Sequence, residues 1–223
     1  RDRFTKPEVY AFADAMEEAE FIAERILELR DEGVSLPHVA VLFRAAFHSQ
    51  ALELELTKRD IPYEYRGGVR FFERAHVKDV LAYLRVFHNK NDVIAWSRAL
   101  HMQVGIGPAT VERITEVLRI KAREDSDNIN TVGDILSSRA QIGWNDFLLI
   151  WNKLQKSDGT PAGLIHAVLA SKYVEYLELE YPDYRERIQD IEQLALFAER
   201  DSDLHHFLAE SALQEQYVRP STK

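Results

Sequence analysis

Two glycine-containing segments interrupt the helical pattern of residues 67–123 and constrain the fold more than any other feature. The pair Gly67-Gly68 allows the backbone to turn sharply just before two aromatic residues flanked by Arg70 and Arg74. Further on, Gly105-Ile106-Gly107 separates two stretches whose apolar residues recur at helical spacing. Such a turn leaves backbone N–H groups that can face an anion, although a plain tight turn between helices has the same sequence signature.

The periodicity of the apolar residues changes near residue 66. Short apolar runs before this point predict buried strands separated by helices, which is typical of a parallel α/β sheet. Residues 49–60 also alternate apolar and acidic residues as a strand would, but a helix capped by Ser49 fits better between parallel strands. The predicted strands are Val9–Phe12, Val39–Phe43 and Tyr63–Arg66.

Beyond residue 66 the spacing of apolar residues predicts helices throughout. The fold that we expect is therefore an incomplete parallel α/β sheet over residues 1–66, followed by a mostly α-helical domain, and predominantly α overall. The helices are expected over Val77–Phe87, over Asp92–Leu100, from Pro108, over Phe147–Leu154, from Thr160-Pro161, and over 183–200 and 203–213.

Charge is distributed unevenly along the chain. The net charge of −9 argues against a nucleic-acid partner, but residues 66–123 contain 11 Lys and Arg against 5 Asp and Glu, and the remainder contains 17 against 32. This division is typical of a basic face on an acidic body, although ordinary variation between solvated helices also produces it. Cysteine is absent and no apolar run reaches about 18 residues, so we expect a reducing, cytoplasmic setting and no membrane contact.

The sequence contains no catalytic constellation. None of the nine glycines is followed by lysine, so the phosphate cradle of a Walker A loop is missing. His205 and His206 are adjacent, and adjacent residues on a helix point in different directions, so no metal site is expected. We therefore expect that this chain binds no cofactor and, on its own, does not hydrolyse ATP.

Three blocks of sequence, taken in order, resemble the UvrD/Rep/PcrA family of superfamily 1 DNA helicases, and the resemblance covers nearly the whole chain. The matching residues are Val41-Leu42-Phe43-Arg44 with Ser49; Gly67 to Arg74 with Lys78-Asp79 and Leu81 to Arg85; and Gly105-Ile106-Gly107 with Thr110 and Ile114. The sequence departs from the family pattern at Gln50, at Ala75-His76 and at Val104. At Gln50 and Val104 the family often has a basic residue.

The resemblance implies a domain organisation. Residues 1–66 would be the first part of a RecA-like domain, 2A, and residues 67–215 would be the helical 2B subdomain with a helix-hairpin-helix-like turn. Residues 216–223 would return towards 2A, and Gly67 and Gly68 would act as the hinge. The chain would be a piece of an ATP-dependent 3′–5′ DNA helicase or translocase, in which other segments of the parent enzyme hold ATP and Mg²⁺.

The function implied is binding to duplex DNA, and to the junction of single and double strands, together with regulation of unwinding. The alternative is a protein–protein interaction module of a helicase-related DNA repair protein, with acidic helical faces as its docking surfaces. Salt-dependent duplex binding would favour the first function, and capture of a protein without DNA the second. The candidate DNA-binding residues are Arg70, Arg74, Gly105, Ile106, Gly107, Thr110, Arg44 and Ser49.

Overall fold

The computed structural model describes residues 6–44, 46–66, 71–123 and 129–216. The chain divides into two compact units, Arg1–Phe71 and Phe72–Lys223. Within its described residues, the first unit contains two α-helices that pack against each other, α1 (Ala15–Asp31) and α2 (Gln50–Lys58), with 3₁₀ turns at Leu36–His38 and Ala46–Ser49. The helix predicted within residues 49–60 is therefore confirmed. The core between the two helices consists of Ala19, Ala23, Ile26, Ala51, Leu52, Leu56 and Ile61.

Both ends of α1 are set by local sequence signals. Asp14 Oδ1 accepts hydrogen bonds at 2.9 Å from the N–H groups two and three residues later, which satisfies two of the donors exposed at a helix start. At the other end Gly33 has φ +95°, and the N–H of Val34 donates to the carbonyl of Leu29 at 2.8 Å. This left-handed glycine ends α1 in a Schellman motif.

The described residues contain no β-strand, so the prediction of a partial parallel sheet in residues 1–66 is wrong. The three segments predicted as strands, Val9–Phe12, Val39–Phe43 and Tyr63–Arg66, have no regular secondary structure. A strand needs a neighbour about 4.8 Å away to pair its N–H and C=O groups, and these segments do not pair with one another. The apolar runs are also poorly buried, since Val9 is 94% and Leu42 is 93% exposed.

The second unit is helical. Short 3₁₀ segments cover Phe71–Glu73 before its first helix and Ile129–Ile135 within it. No helix in the described part of the chain is long and apolar enough to cross a membrane. The helices described are α3 (Ala75–His88), α4 (Val93–His101), α5 (Pro108–Arg123), α6 (Ser138–Gln155), α7 (Pro161–Leu169), α8 (Tyr173–Glu180), α9 (Tyr184–Ala198) and α10 (Leu204–Gln216).

The helices predicted beyond residue 66 are all confirmed. Side chains cap the start of two of these helices, because the Asp92 carboxylate accepts from the N–H of Ala95 in α4 and the Thr160 hydroxyl accepts from the N–H of Gly163 in α7. The sequence did not predict α8, in which Tyr173 and Leu177 are the buried residues. Two buried positions in a short helix are too few to establish a helical period.

The central helix of the second unit is α3, which packs against α4, α7, α9 and α10. Nine of its 14 residues are buried, so neighbouring helices cover more than one face of α3. Two of the buried residues are polar, His76 and Asp79. Buried polar groups of this kind need hydrogen-bonding partners, and the neighbouring helices supply them.

Aromatic side chains pack α4 against α6. The ring of Phe147 lies 5.2 Å, centroid to centroid, from those of both Trp96 and Trp144. All three side chains are at most 1% exposed. This packing fixes the end of α4 relative to α6, and so positions the turn that leads from α4 into α5.

Candidate nucleic-acid interface

The turn between α4 and α5 is held against the start of α6. Gly105 has φ +75°, a left-handed conformation that favours glycine. A Cβ built on Gly105 would lie 2.7 Å from the carbonyl oxygen of Arg139, the second residue of α6. Ile106, which is 5% exposed, anchors the same turn in the core. Gly105 is therefore needed for a contact inside the protein.

A second glycine brings α6 close to the turn from the other side. A Cβ built on Gly143 would lie 2.2 Å from the carbonyl oxygen of Val104, so only glycine fits at this point of α6. The motifs in the sequence did not lead to this residue. The sequence signal that indicates Gly143 is an isolated glycine within a helical pattern, between Ala140 and Trp144, which are both buried.

Gly107 has a different environment from Gly105. Among the described residues, no heavy atom other than those of its chain neighbours lies within 4 Å of a Cβ built on it. Its carbonyl accepts hydrogen bonds from the N–H groups of Thr110 (2.9 Å) and Val111 (3.0 Å), which set the start of α5 at Pro108. The first turn of a helix carries a partial positive charge. A side chain at position 107 would therefore point into open space, which makes Gly107 a candidate for close approach by the backbone of a ligand.

Arg74, predicted to contact DNA, lies in an ion pair inside the second unit. Its Nη1 donates to Asp190 Oδ2 at 2.7 Å, and both side chains are 12% exposed. His76 Nε2 lies 2.6 Å from the same oxygen, while Arg187 Nη1 donates to His76 Nδ1 at 3.1 Å, which leaves Nε2 to donate to Asp190. This placement favours a structural role for Arg74, and its contact with DNA stays a prediction.

The pKa values of two buried carboxyl groups near this ion pair shift in opposite directions. Burial alone would raise the pKa of Asp190, but hydrogen bonds from His76 and Arg74 outweigh it and hold that pKa below its usual value. For Asp79, burial raises the pKa, and the ion pair with Arg98 at 2.7 Å opposes it only in part. Both carboxyl groups join α3 to a neighbouring helix.

The other candidate residues are dispersed. Arg44 is exposed in the first unit, whereas Ser49 in the same unit is 2% exposed and donates its hydroxyl to Glu53 Oε1 at 2.9 Å. Ser49 makes no side-chain capping hydrogen bond to α2, contrary to the expectation that it caps the helix. The structure brings four DNA-binding candidates together in the turn before α5 and at the start of that helix: Gly105, Ile106, Gly107 and Thr110. The candidate Arg70 and the proposed hinge residues Gly67 and Gly68 lie outside the described residues.

Possible metal ligands occur at the start of α10. Ligand atoms of Asp201, His206 and Glu210 all lie within 4.8 Å of one another. The prediction of no metal site rests on the adjacent histidines alone and takes no account of Glu210, four residues after His206. A hydrogen bond to Asp201, with its Oδ2 2.5 Å from His206 Nδ1, raises the pKa of His206. Because this exposed ion pair already explains the arrangement, we assign the cluster no part in function.

Comparison with known proteins relates this chain to DNA helicases, as three of the curated proteins that match it show. DNA helicase II of Haemophilus influenzae is 34% identical over 154 residues, which are 66% of this chain and 21% of that protein. DNA helicase II of Escherichia coli is 37% identical over 112 residues, 50% of this chain and 16% of that protein. ATP-dependent DNA helicase PcrA of Staphylococcus epidermidis is 36% identical over 110 residues, which are 49% of this chain and 15% of that protein.

The family itself is defined by a match along almost the whole sequence. The UvrD-like helicase C-terminal domain matches residues 2–219, and the chain belongs to this family. The resemblance to UvrD/Rep/PcrA helicases that the motifs indicated is thereby confirmed. The aligned regions span about a fifth or less of the length of the three relatives above.

The contrast between the two glycines of the turn can be tested by substituting alanine at each. Gly105→Ala should lower the free energy of unfolding by about 2 kcal/mol or more, since the new Cβ meets the Arg139 backbone at an unfavourable φ. Gly107→Ala should change it by less than about 0.5 kcal/mol because the space there is open. Urea unfolding followed by circular dichroism measures both. Equal losses for the two variants would contradict the assignment.

The Asp190 ion pair predicts a pH dependence of stability. Its pKa is lower in the folded state than the ordinary value of 3.8, so its stabilisation is fully present above that pH and is lost as the pH falls through the folded-state pKa. Asp190→Asn should cost about 3 kcal/mol at pH 7 and remove this loss on acidification. Urea unfolding from pH 7 to about pH 2.5 measures both effects.

The matched control is Asp134→Asn, at an exposed carboxyl group. We expect it to follow the wild-type curve within about 0.5 kcal/mol at every pH. If Asp190→Asn also ran parallel to wild type, the ion pair would not contribute as described.

Proposed function

We propose that this chain is the duplex-binding and regulatory part of an ATP-dependent 3′–5′ DNA helicase. Membership of the UvrD-like helicase C-terminal domain family supports a helicase parent. The observation that carries the proposal is the turn before α5, in which Gly107 is open to approach while Gly105 and Gly143 hold the turn against α6. A rigid turn with an open glycine at a helix start suits a phosphate group.

The chemistry of the turn favours contact with phosphates over contact with bases. Residues 104–108 have no side chain that hydrogen-bonds, so they cannot distinguish one base edge from another. Backbone N–H groups and the partial charge at the start of α5 act on any phosphate in the same way. We therefore expect duplex binding that depends on salt and is independent of sequence.

The domain assignment is part of the same proposal. We assign residues 1–66 to the 2A domain and residues 67–215 to the 2B subdomain, with residues 216–223 returning towards 2A. In support, the chain divides into two compact units after Phe71, close to this boundary. The proposed hinge, Gly67 and Gly68, precedes the division between the units by a few residues. ATP and Mg²⁺ would be held elsewhere in the parent enzyme, because this chain contains no Walker A loop.

A second candidate function, protein binding, is favoured by one observation on α8. Leu179 is 89% exposed and lies between Glu178 and Glu180. An exposed leucine flanked by carboxylates suits a basic protein segment that also presents an apolar side chain. This surface belongs to the acidic part of the chain, outside residues 66–123.

Duplex binding can be tested with a bulky substitution at the open glycine. Gly107→Leu should weaken binding at least about tenfold, because its side chain occupies the approach to the start of α5 and removes charge-assisted hydrogen bonds. Its unfolding curve should match that of the wild type. The measurement is fluorescence anisotropy of a labelled duplex with a 3′ single-stranded tail, titrated with the 223-residue chain over a series of salt concentrations.

The control adds the same bulk elsewhere. Ala170→Leu, at an exposed position after α7, should bind the duplex as wild type does. Equal affinities for wild type and Gly107→Leu, or wild-type binding that does not respond to salt, would contradict the DNA function and leave protein binding on α8 as the better candidate.

A further inference from the structure

The turn that we propose for duplex binding has no charged side chain of its own. Its residues from Val104 to Pro108 are all apolar or glycine, and Val104 is 58% exposed. A phosphate that approached Gly107 would therefore meet backbone dipoles but no full positive charge from the turn. Affinity for a duplex is dominated by cationic side chains that displace counterions from phosphates. A site of this kind needs a cation from another element.

Arg139 is a cation in direct contact with this turn. Its Cγ lies 2.7 Å from a Cβ built on Gly105, and the guanidinium begins only two bonds beyond Cγ. The side chain is exposed, and within the described ranges it makes no hydrogen bond or ion pair with another residue. Its guanidinium is therefore available to a ligand that reaches the turn.

Two arginines on the adjoining helices are engaged elsewhere. Arg98 on α4 donates to Asp79 Oδ1 at 2.7 Å, and Arg113 on α5 donates to the backbone carbonyl of Ile135 at 2.8 Å. The internal hydrogen bond of each guanidinium holds it in place and limits where its remaining N–H groups can point. The guanidinium of Arg139 has no such restraint from any described residue.

The backbone of Arg139 is also well fixed relative to the turn. Its carbonyl lies against Gly105, and Gly143, one helical turn further along α6, lies against the Val104 carbonyl. The hydroxyl of Ser137 caps α6 by accepting from the N–H of Ala140. Only the side-chain rotamers of Arg139 have to be ordered on binding, which limits the entropy lost.

We propose that Arg139 is a duplex-binding residue, which supplies from α6 the cationic contact to a phosphodiester that the turn lacks. This inference rests on the proposed function, since it completes the same site. The planar guanidinium can donate two hydrogen bonds to one phosphate, beside the strand that approaches Gly107. The contact is to the DNA backbone and adds affinity without sequence preference.

The test compares Arg139→Gln with Lys153→Gln in the anisotropy titration with the 3′-tailed duplex. Both changes remove one exposed positive charge from α6, but Lys153 lies fourteen residues further along the helix, about 21 Å away. Arg139→Gln should weaken binding about tenfold at low salt and reduce the salt slope by about one. Lys153→Gln should bind as wild type, and Arg139→Lys should keep the wild-type slope because it retains the charge.

A double variant separates direct contact from a general effect of charge. In the Gly107→Leu background, where approach is blocked, Arg139→Gln should weaken binding by much less than it does in wild type. Circular dichroism that matches wild type at the temperature of the titration excludes loss of fold as the cause of weaker binding. If Gly107→Leu weakens binding but Arg139→Gln matches Lys153→Gln, the role of Arg139 is overturned while the proposed function stands. If neither Gly107→Leu nor Arg139→Gln has an effect, both proposals are overturned.

Discussion

The backbone contact between the α4–α5 turn and α6 is the constraint on which the candidate site depends. At Gly105 and Gly143 the two segments approach more closely than any side chain would allow. Because the contact is between backbones, it leaves the turn little freedom to rearrange. The same contact sets the direction in which α5 begins and leaves Gly107 facing open space. Gly105, which the sequence predicts as a ligand contact, therefore serves the packing of the turn against α6, and Gly107 is the glycine we propose for the ligand.

The helices of the second unit could be predicted from the sequence because local signals and burial agree there. Capping residues such as Asp92 and Thr160 stand where the helices begin, and the apolar spacing matches the buried faces. In the first unit the same reasoning failed for the strands. An apolar run such as Val39–Phe43 indicates a tendency to be buried, but a strand also needs a partner, which no local pattern supplies.

The candidate site was only partly predictable for a related reason. A Gly-x-Gly turn can be predicted from sequence, but which of its glycines lies against another element depends on α6, more than thirty residues away. The same holds for Arg74, whose partner Asp190 is 116 residues distant. A positive charge beside aromatic residues suggested a phosphate contact, and only the packing of α9 against α3 revealed its internal partner. Spacing identifies candidate groups, whereas long-range packing decides which of them are exposed.

The central claim, that the start of α5 binds duplex DNA, is tested most directly by locating the binding surface. Hydrogen–deuterium exchange of the chain can be measured by mass spectrometry with and without a duplex that carries a 3′ tail. We expect the duplex to slow exchange in residues 104–109 and at the start of α6, because backbone N–H groups at the start of a helix have no partner in the preceding turn. Slowed exchange confined to α8 and α9, with none in the α4–α5 turn, would contradict the claim.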